Sequence, residues 1–117
     1  MFSLNENLNY YLYPGYIPMG KGLESLSELL RDMPDCNLFG GDVFLFFGKK
    51  RDTVKLLRWD KDGFILYQKR LEIGSFELPR FRKDRGLLQL QWETFFLMMR
   101  GIPLRKIAFR KRFKYQL

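Results

Sequence analysis

An uninterrupted apolar run of five residues, Val43–Phe47, constrains the fold of this chain more than any other feature. Side chains of a strand point alternately to its two faces, so a strand that is apolar throughout is typical of the buried centre of a sheet. Strand-forming residues resume at 53–59 and 64–71, each time after turn-forming residues, at 48–52 and 60–63. This pattern predicts three consecutive antiparallel strands.

Two segments have the spacing of amphipathic helices. Leucines recur at helical intervals over residues 23–33, with polar residues between them, and Pro34 ends the pattern. Large apolar residues mark a second helix that starts at Trp92, and Gly101 and Pro103 close it. We expect both helices to pack on the sheet.

The remaining strands lie near the two ends of the chain. Aromatic residues 8–13 predict a short strand that ends at the turn dipeptide 14–15, and residues 87–91 predict another short strand. We therefore expect one α+β domain over residues 1–117, with an antiparallel sheet of four or five strands, two main helices and a basic tail at 105–117. A chain of 117 residues is of ordinary size for one domain.

Positive charge is concentrated in one section of the sequence. The formal net charge is +8, but residues 1–47 carry 2 basic and 6 acidic residues, whereas residues 48–117 carry 19 basic and 7 acidic residues. A domain with such a basic section has the electrostatic character of a polyanion binder. A solubilising basic surface is the alternative explanation.

Two counts exclude whole classes of chemistry. The chain has no histidine, which removes the Ser-His-Asp and Cys-His nucleophilic mechanisms and His-ligated zinc. Its one cysteine, Cys36, cannot form an intrachain disulfide, and the sequence predicts neither a secretory signal nor a membrane-spanning segment. These features predict a cytoplasmic protein that does not contact membranes and needs no cofactor.

Four aspartates, three of them at turns, are the only candidates for a metal-dependent nuclease centre. The turn 60–63 places glycine fourth rather than sixth, so it does not follow the calcium-loop pattern and predicts a hairpin instead. A nuclease would need at least two carboxylates in one cleft. The candidates are Asp42, Asp52, Asp60 and Asp62. Since nothing else completes a catalytic set, we predict neither enzymatic activity nor a metal site.

Basic residues form three blocks, which we predict to contact nucleic-acid phosphates. They are Lys49, Lys50, Arg51, Lys55 and Arg58; then Lys69, Arg70, Arg80, Arg82, Lys83 and Arg85; and, in the tail, Arg110, Lys111 and Arg112. Lys55 and Lys69 would share one patch if the strand register placed them on the same face. Four aromatic side chains near these blocks could stack on bases, although burial in the core is the simpler expectation. They are Trp59, Tyr67, Phe81 and Tyr115.

The central block resembles a known family, the TnpB accessory proteins encoded by the second open reading frame of insertion sequence 66-type bacterial elements. The matching features are the Phe-rich strand and its basic turn, Arg51-Asp52, Lys55-Leu56-Leu57, Trp59-Asp60-x-Asp62-Gly63, Lys69-Arg70-Leu71-Glu72, Gly74-x-Phe76 and Pro79. The segment 19–22 before the first helix is also similar, with Gly20 where the family has arginine, and so is the helix that ends at 101–102. The resemblance covers residues 19–103.

This resemblance implies an accessory factor of a mobile element, which acts beside a separate transposase and other element-encoded proteins. It carries over no catalytic residue. Together with the charge, it predicts a non-enzymatic transposition factor that binds DNA through its basic surface and tail. The alternative is an adaptor that docks on the transposase through an exposed hydrophobic patch, without touching DNA.

Overall fold

A computed structural model describes residues 4–101 of the chain. Five strands form one sheet, two α-helices pack against it, and a short 3-10 turn lies between the fourth and fifth strands. The strands are β1 (Tyr10–Tyr16), β2 (Val43–Phe47), β3 (Thr53–Asp60), β4 (Gly63–Arg70) and β5 (Leu88–Leu90), and the helices are α1 (Leu23–Arg31) and α2 (Trp92–Met99). The spatial order of the strands is β4-β3-β2-β1-β5.

The predicted α+β class, with five strands and two helices, is confirmed. β2, β3 and β4 form the expected antiparallel meander, and β5 pairs antiparallel with β1. One pairing makes the sheet mixed, because β1 runs parallel to β2. The reason is the connection: α1 carries the chain back along the sheet, and such a crossover joins parallel neighbours.

β1 is longer than its sequence pattern indicates. The sequence predicts a turn at Pro14-Gly15, but the strand continues through both residues to Tyr16, and its register against β2 shifts between Leu12 and Tyr16. Proline offers no N–H to a neighbouring strand, so it is tolerated where the pairing is interrupted by a bulge. Gly15, with φ at +152°, accepts the unusual backbone angle at this point.

β2 is buried on both faces, as its sequence predicts. On one face, Leu26 and Leu30 of α1 pack against Phe44 and Phe46. On the other face, α2 and part of the 71–82 connection cover the sheet; their buried residues are Phe76, Phe95, Met98 and Met99. Within residues 4–101, neither helix has the length and apolar composition required to cross a membrane.

Candidate nucleic-acid interface

The fold gathers most of the predicted cations within residues 4–101 at one end of the sheet. β1 and β2 both finish at this end, β3 starts there, and β4 returns to it, since Thr53 is paired with Arg70. The β2–β3 turn therefore lies beside the last residue of β1, Tyr16, and the last residue of β4. The β3–β4 hairpin, with its exposed Lys61, lies at the opposite end.

The β2–β3 turn projects its lysines into solvent. The N–H of Arg51 donates to the carbonyl of Gly48 at 3.0 Å and closes a four-residue turn with Lys49 and Lys50 at its centre. Arg51 has a φ of +56°, the left-handed conformation that ends many turns of this kind. All three cationic side chains are exposed. The turn thus presents three adjacent positive charges on a hydrogen-bonded backbone.

The 71–82 connection is fastened to this turn by two backbone hydrogen bonds. The N–H of Leu71 donates to the carbonyl of Asp52 at 2.7 Å, and the N–H of Phe76 donates to the carbonyl of Arg51 at 2.6 Å. The ring of Phe76 is completely buried and meets the ring of Phe47 edge to face, with centroids 5.6 Å apart. Phe76 therefore anchors the segment that carries Arg80 and Arg82 of the second block back to the first block.

Two hollows at this end of the molecule share Tyr16 as a lining residue, and we refer to them together as the groove around Tyr16. Lys49, Lys50 and Arg70 line the first hollow, of about 550 Å³, together with Tyr16. Across the same tyrosine, Arg51, Arg80 and Arg82 line the second hollow. Two sequence blocks that are about 30 residues apart thus meet on either side of one aromatic side chain.

The 3-10 turn Lys83–Arg85 extends the cationic lining. Lys83 packs against β1, so close that a Cβ built on Gly15 would lie 3.7 Å from the lysine Cε. Arg85 stands at the margin, where it lines one hollow with Arg80 and Arg82 and a second one that holds Asp35 and Asp42. We name the following residues the basic surface: Lys49, Lys50, Arg51, Arg70, Arg80, Arg82 and Lys83.

Acidic side chains offset part of this positive charge. Asp84 forms an ion pair with Arg82 at 3.2 Å, and both side chains are about two-thirds exposed, at 67% and 64%. An ion pair that is this exposed to solvent contributes little to stability. Asp52 lines the hollow of Lys49 and accepts a hydrogen bond from the hydroxyl of Thr53. Glu72 and Glu77 lie on the 71–82 connection as well, so these segments carry the seven cations of the basic surface and four acids.

The register separates Lys55 from Lys69. Lys55 is paired with Gln68 and Lys69 with Val54, so the two lysines point to opposite faces of the sheet and cannot form one patch. Lys55 is buried on the α1 face, where its Nζ donates to the carbonyl of Lys21 at 2.8 Å. The Nζ of Lys69 donates to the carbonyl of Met99 at 2.7 Å. Both ammonium groups hold helix-flanking backbone in place and lie outside the basic surface.

Arg58 also lies apart from the basic surface. It is paired with Val43, at the end of β2 where the strand begins, and its Nε donates to the carbonyl of Gly41 at 3.2 Å. The tail candidates lie outside the described residues; they are Arg110, Lys111 and Arg112, together with the aromatic Tyr115.

The aromatic residue at the centre of the groove is one that the sequence did not single out. Tyr67 and Phe81 are half-buried against the core, as expected for large aromatic residues. Trp59 lies at the opposite end, in contact with Phe39 at a centroid distance of 5.0 Å. Tyr16, by contrast, is 43% exposed among the cations. Its position after Pro14-Gly15 suggested a loop residue, and only the continuation of β1 places it at the groove.

The four candidate aspartates are divided between the two ends of the sheet. Asp52 lies at the basic end, whereas Asp42 precedes the start of β2 at the other end, where Asp60 and Asp62 flank the hairpin. Among residues 4–101, no three metal-ligating side chains of His, Cys, Asp or Glu lie close enough together to hold an ion.

The pKa of the Cys36 thiol is raised, chiefly by burial and then by the nearby negative charge of Asp42. A raised pKa disfavours the thiolate, which is the nucleophilic form of cysteine.

The fold and this surface define the class of protein: a small α+β protein with exposed cations around an aromatic side chain. Comparison with known proteins is more specific. Residues 8–109 match the family described as IS66 Orf2 like protein, and the chain belongs to that family. The family consists of accessory proteins of IS66-type insertion sequences, so the chain has a transposition-associated accessory role.

Two relatives from Sinorhizobium fredii are similar over most of their length. The uncharacterized protein y4jC is 32% identical over 87 residues, which is 74% of this chain and 73% of the relative. The uncharacterized protein y4hO is 28% identical over 79 residues, or 68% of this chain and 69% of the relative. No solved structure matches the chain significantly.

Proposed function

We propose that this accessory protein binds DNA of its mobile element through the basic surface, and that another protein supplies the chemistry of strand cleavage and joining. The observation that carries the proposal is the gathering of cations from two distant sequence blocks along one groove. Lysine and arginine side chains neutralise phosphates and release their condensed counterions, which drives binding without any base contact.

The anchoring of the segments supports this proposal. Solvated charges need no fixed position, yet the turn of Lys49 and Lys50 is closed by a hydrogen bond, and the segment of Arg80 is held by the buried ring of Phe76. Cations on a backbone that is already ordered bind a polyanion without the cost of ordering that backbone. The arrangement therefore fits a binding surface better than a merely solubilising one.

The salt dependence of binding tests this proposal. The experiment titrates the full chain with labelled duplex and single-stranded DNA at several salt concentrations, and it compares the wild type with Lys49→Gln/Lys50→Gln. Loss of two phosphate contacts should weaken binding and reduce the slope of log K against log salt by roughly 1.4–1.8. Lys61→Gln is the matched control, since Lys61 is an exposed lysine in the hairpin at the other end of β3.

Two results would contradict the proposal. One is that the wild type binds neither form of DNA at low salt. The other is that Lys61→Gln reduces the slope per lysine as much as the double variant does, because the basic surface would then have no special part in binding.

A second candidate function is an adaptor that docks on the transposase of the element. It is favoured by the aromatic cluster at the end opposite the basic surface, where Phe39 is 56% exposed and contacts both Trp59 and Phe64. Exposed aromatic residues of this kind are enriched at protein interfaces. Co-purification with the transposase after nuclease treatment, and its loss in Phe39→Ser but not in Lys49→Gln/Lys50→Gln, would support the adaptor function.

A further inference from the structure

We infer that the groove around Tyr16 takes an unpaired nucleotide, so that the preferred substrate is single-stranded DNA rather than an intact duplex. This inference rests on the proposed function and specifies the form of DNA that the same surface binds. It starts from the position of Tyr16, which lines the hollow of Lys49 and Lys50 on one side and that of Arg51, Arg80 and Arg82 on the other.

The Tyr16 ring has a surface on which a base can stack. Its contact with Phe81 is edge to face, with an interplanar angle of 84° and centroids 5.7 Å apart, and such a contact occupies at most one face of the tyrosine ring. The side chain is 43% exposed. Phe81 packs against the core, so it steadies the tyrosine from the protein side.

The backbone at Tyr16 is also fixed. Tyr16 is the β1 partner of Phe47, and the next residue, Ile17, donates its N–H to the carbonyl of Phe47 at 2.9 Å. A ring on a hydrogen-bonded strand loses little freedom when a base stacks on it, whereas a ring on a mobile loop has to be ordered first. Tyr16 is therefore a pre-formed platform.

The chemistry of the groove distinguishes two forms of DNA. In a duplex, each base already stacks on its neighbours, so phosphates remain the accessible groups and a central aromatic side chain adds little. In a single strand, the base faces are accessible, and the combination of cations that follow the backbone with an aromatic platform is typical of single-strand binding sites. Cations lie on both sides of Tyr16, so a strand that crosses the groove would place a base over the ring.

The test uses the full chain and three labelled probes: an oligothymidylate of about 12 nucleotides, the same strand with abasic residues at its centre, and a duplex of equal length. Tyr16→Ala should bind the oligothymidylate roughly 5- to 150-fold more weakly than the wild type does, which is the range for loss of one stacked base. Tyr16→Phe keeps the ring and should bind like the wild type.

The abasic strand separates stacking from charge. It keeps every phosphate, so the wild type should bind it more weakly than the intact strand, whereas Tyr16→Ala should bind the two strands equally. Binding of the duplex should be the same in all three proteins. Thermal unfolding of each variant checks that the fold is kept.

The outcomes also separate this inference from the proposed function. If Tyr16→Ala binds the oligothymidylate as tightly as the wild type, or weakens duplex and single-strand binding by the same factor, the stacking site is refuted while DNA binding stands. If the wild type binds none of the three probes, the proposed function itself fails.

Discussion

Replacement of Phe76 by alanine tests how the two halves of the basic surface are held together. The ring is completely buried between the sheet and the 71–82 connection, in contact with Phe47. Truncation of a buried phenylalanine removes its transfer free energy and leaves a cavity, at a cost of about 3–5 kcal/mol. Since domains of this kind are stable by roughly 5–15 kcal/mol, Phe76→Ala should still fold, but marginally.

Urea unfolding followed by tryptophan fluorescence measures this loss. With an m-value of about 2 kcal/mol/M, a loss of 4 kcal/mol lowers the midpoint by about 2 M. Ile73→Ala is the control: Ile73 lies three residues earlier on the same connection, but it is 92% exposed, so its truncation should change the free energy of unfolding by less than about 0.5 kcal/mol.

A second measurement follows the local consequence. The amide of Phe76 is bonded to the carbonyl of Arg51, and the amide of Leu71 to that of Asp52, so both should be protected from hydrogen exchange in the wild type. In Phe76→Ala, both amides should exchange faster than those of β2, because the connection opens before the sheet does. A loss of stability below about 1 kcal/mol, with both amides still protected, would refute the anchoring role of Phe76.

Two further predictions concern side chains away from the basic surface. Lys55→Met should lower the free energy of unfolding, measured by urea unfolding, by about 1–3 kcal/mol, because the carbonyl of Lys21 loses its hydrogen-bond donor. The same variant should leave the salt dependence of DNA binding unchanged in a DNA titration. Burial raises the pKa of the Tyr10 hydroxyl from 10.0 to about 12. The unfolded state therefore loses this proton at a lower pH than the folded state does, so the free energy of unfolding should fall as the pH rises from 10 to 12. Tyr10→Phe should show a smaller decline over this interval, and an equal decline in both proteins would contradict the assignment.

The features that the sequence predicted are those that depend on neighbours along the chain. The apolar run Val43–Phe47 specified the central strand, and the turn at 60–63 specified the hairpin between β3 and β4, which Asp60 and Gly63 close as partners. The helix of leucines is α1, and it ends at Arg31, shortly before Pro34. The spacing of apolar residues, the residue types at turns and the positions of proline are local signals, and they were sufficient to predict these elements.

The features that the sequence missed depend on contacts between distant segments. The side chain of Lys55 looked exposed because it is charged, but the carbonyl of Lys21 offers a partner that makes its burial tolerable. Phe76 is one of several apolar residues in the irregular 71–82 connection, and no regular spacing marks it, rather than the exposed Ile73, as part of the core. The role of Tyr16 was hidden by the proline and glycine before it, which are turn signals in most contexts but mark a bulge here.

The parallel pairing of β1 and β2 accounts for the composition of the candidate site. In a parallel pair, both strands finish at the same end of the sheet, so Tyr16 at the end of β1 lies beside the turn that follows Phe47 at the end of β2. Had β1 entered antiparallel to β2, its last residue would lie at the opposite end, beside the start of β2 and far from Lys49 and Lys50. The α1 crossover is thus the element that joins an aromatic residue from the acidic first third of the chain to cations from the basic remainder.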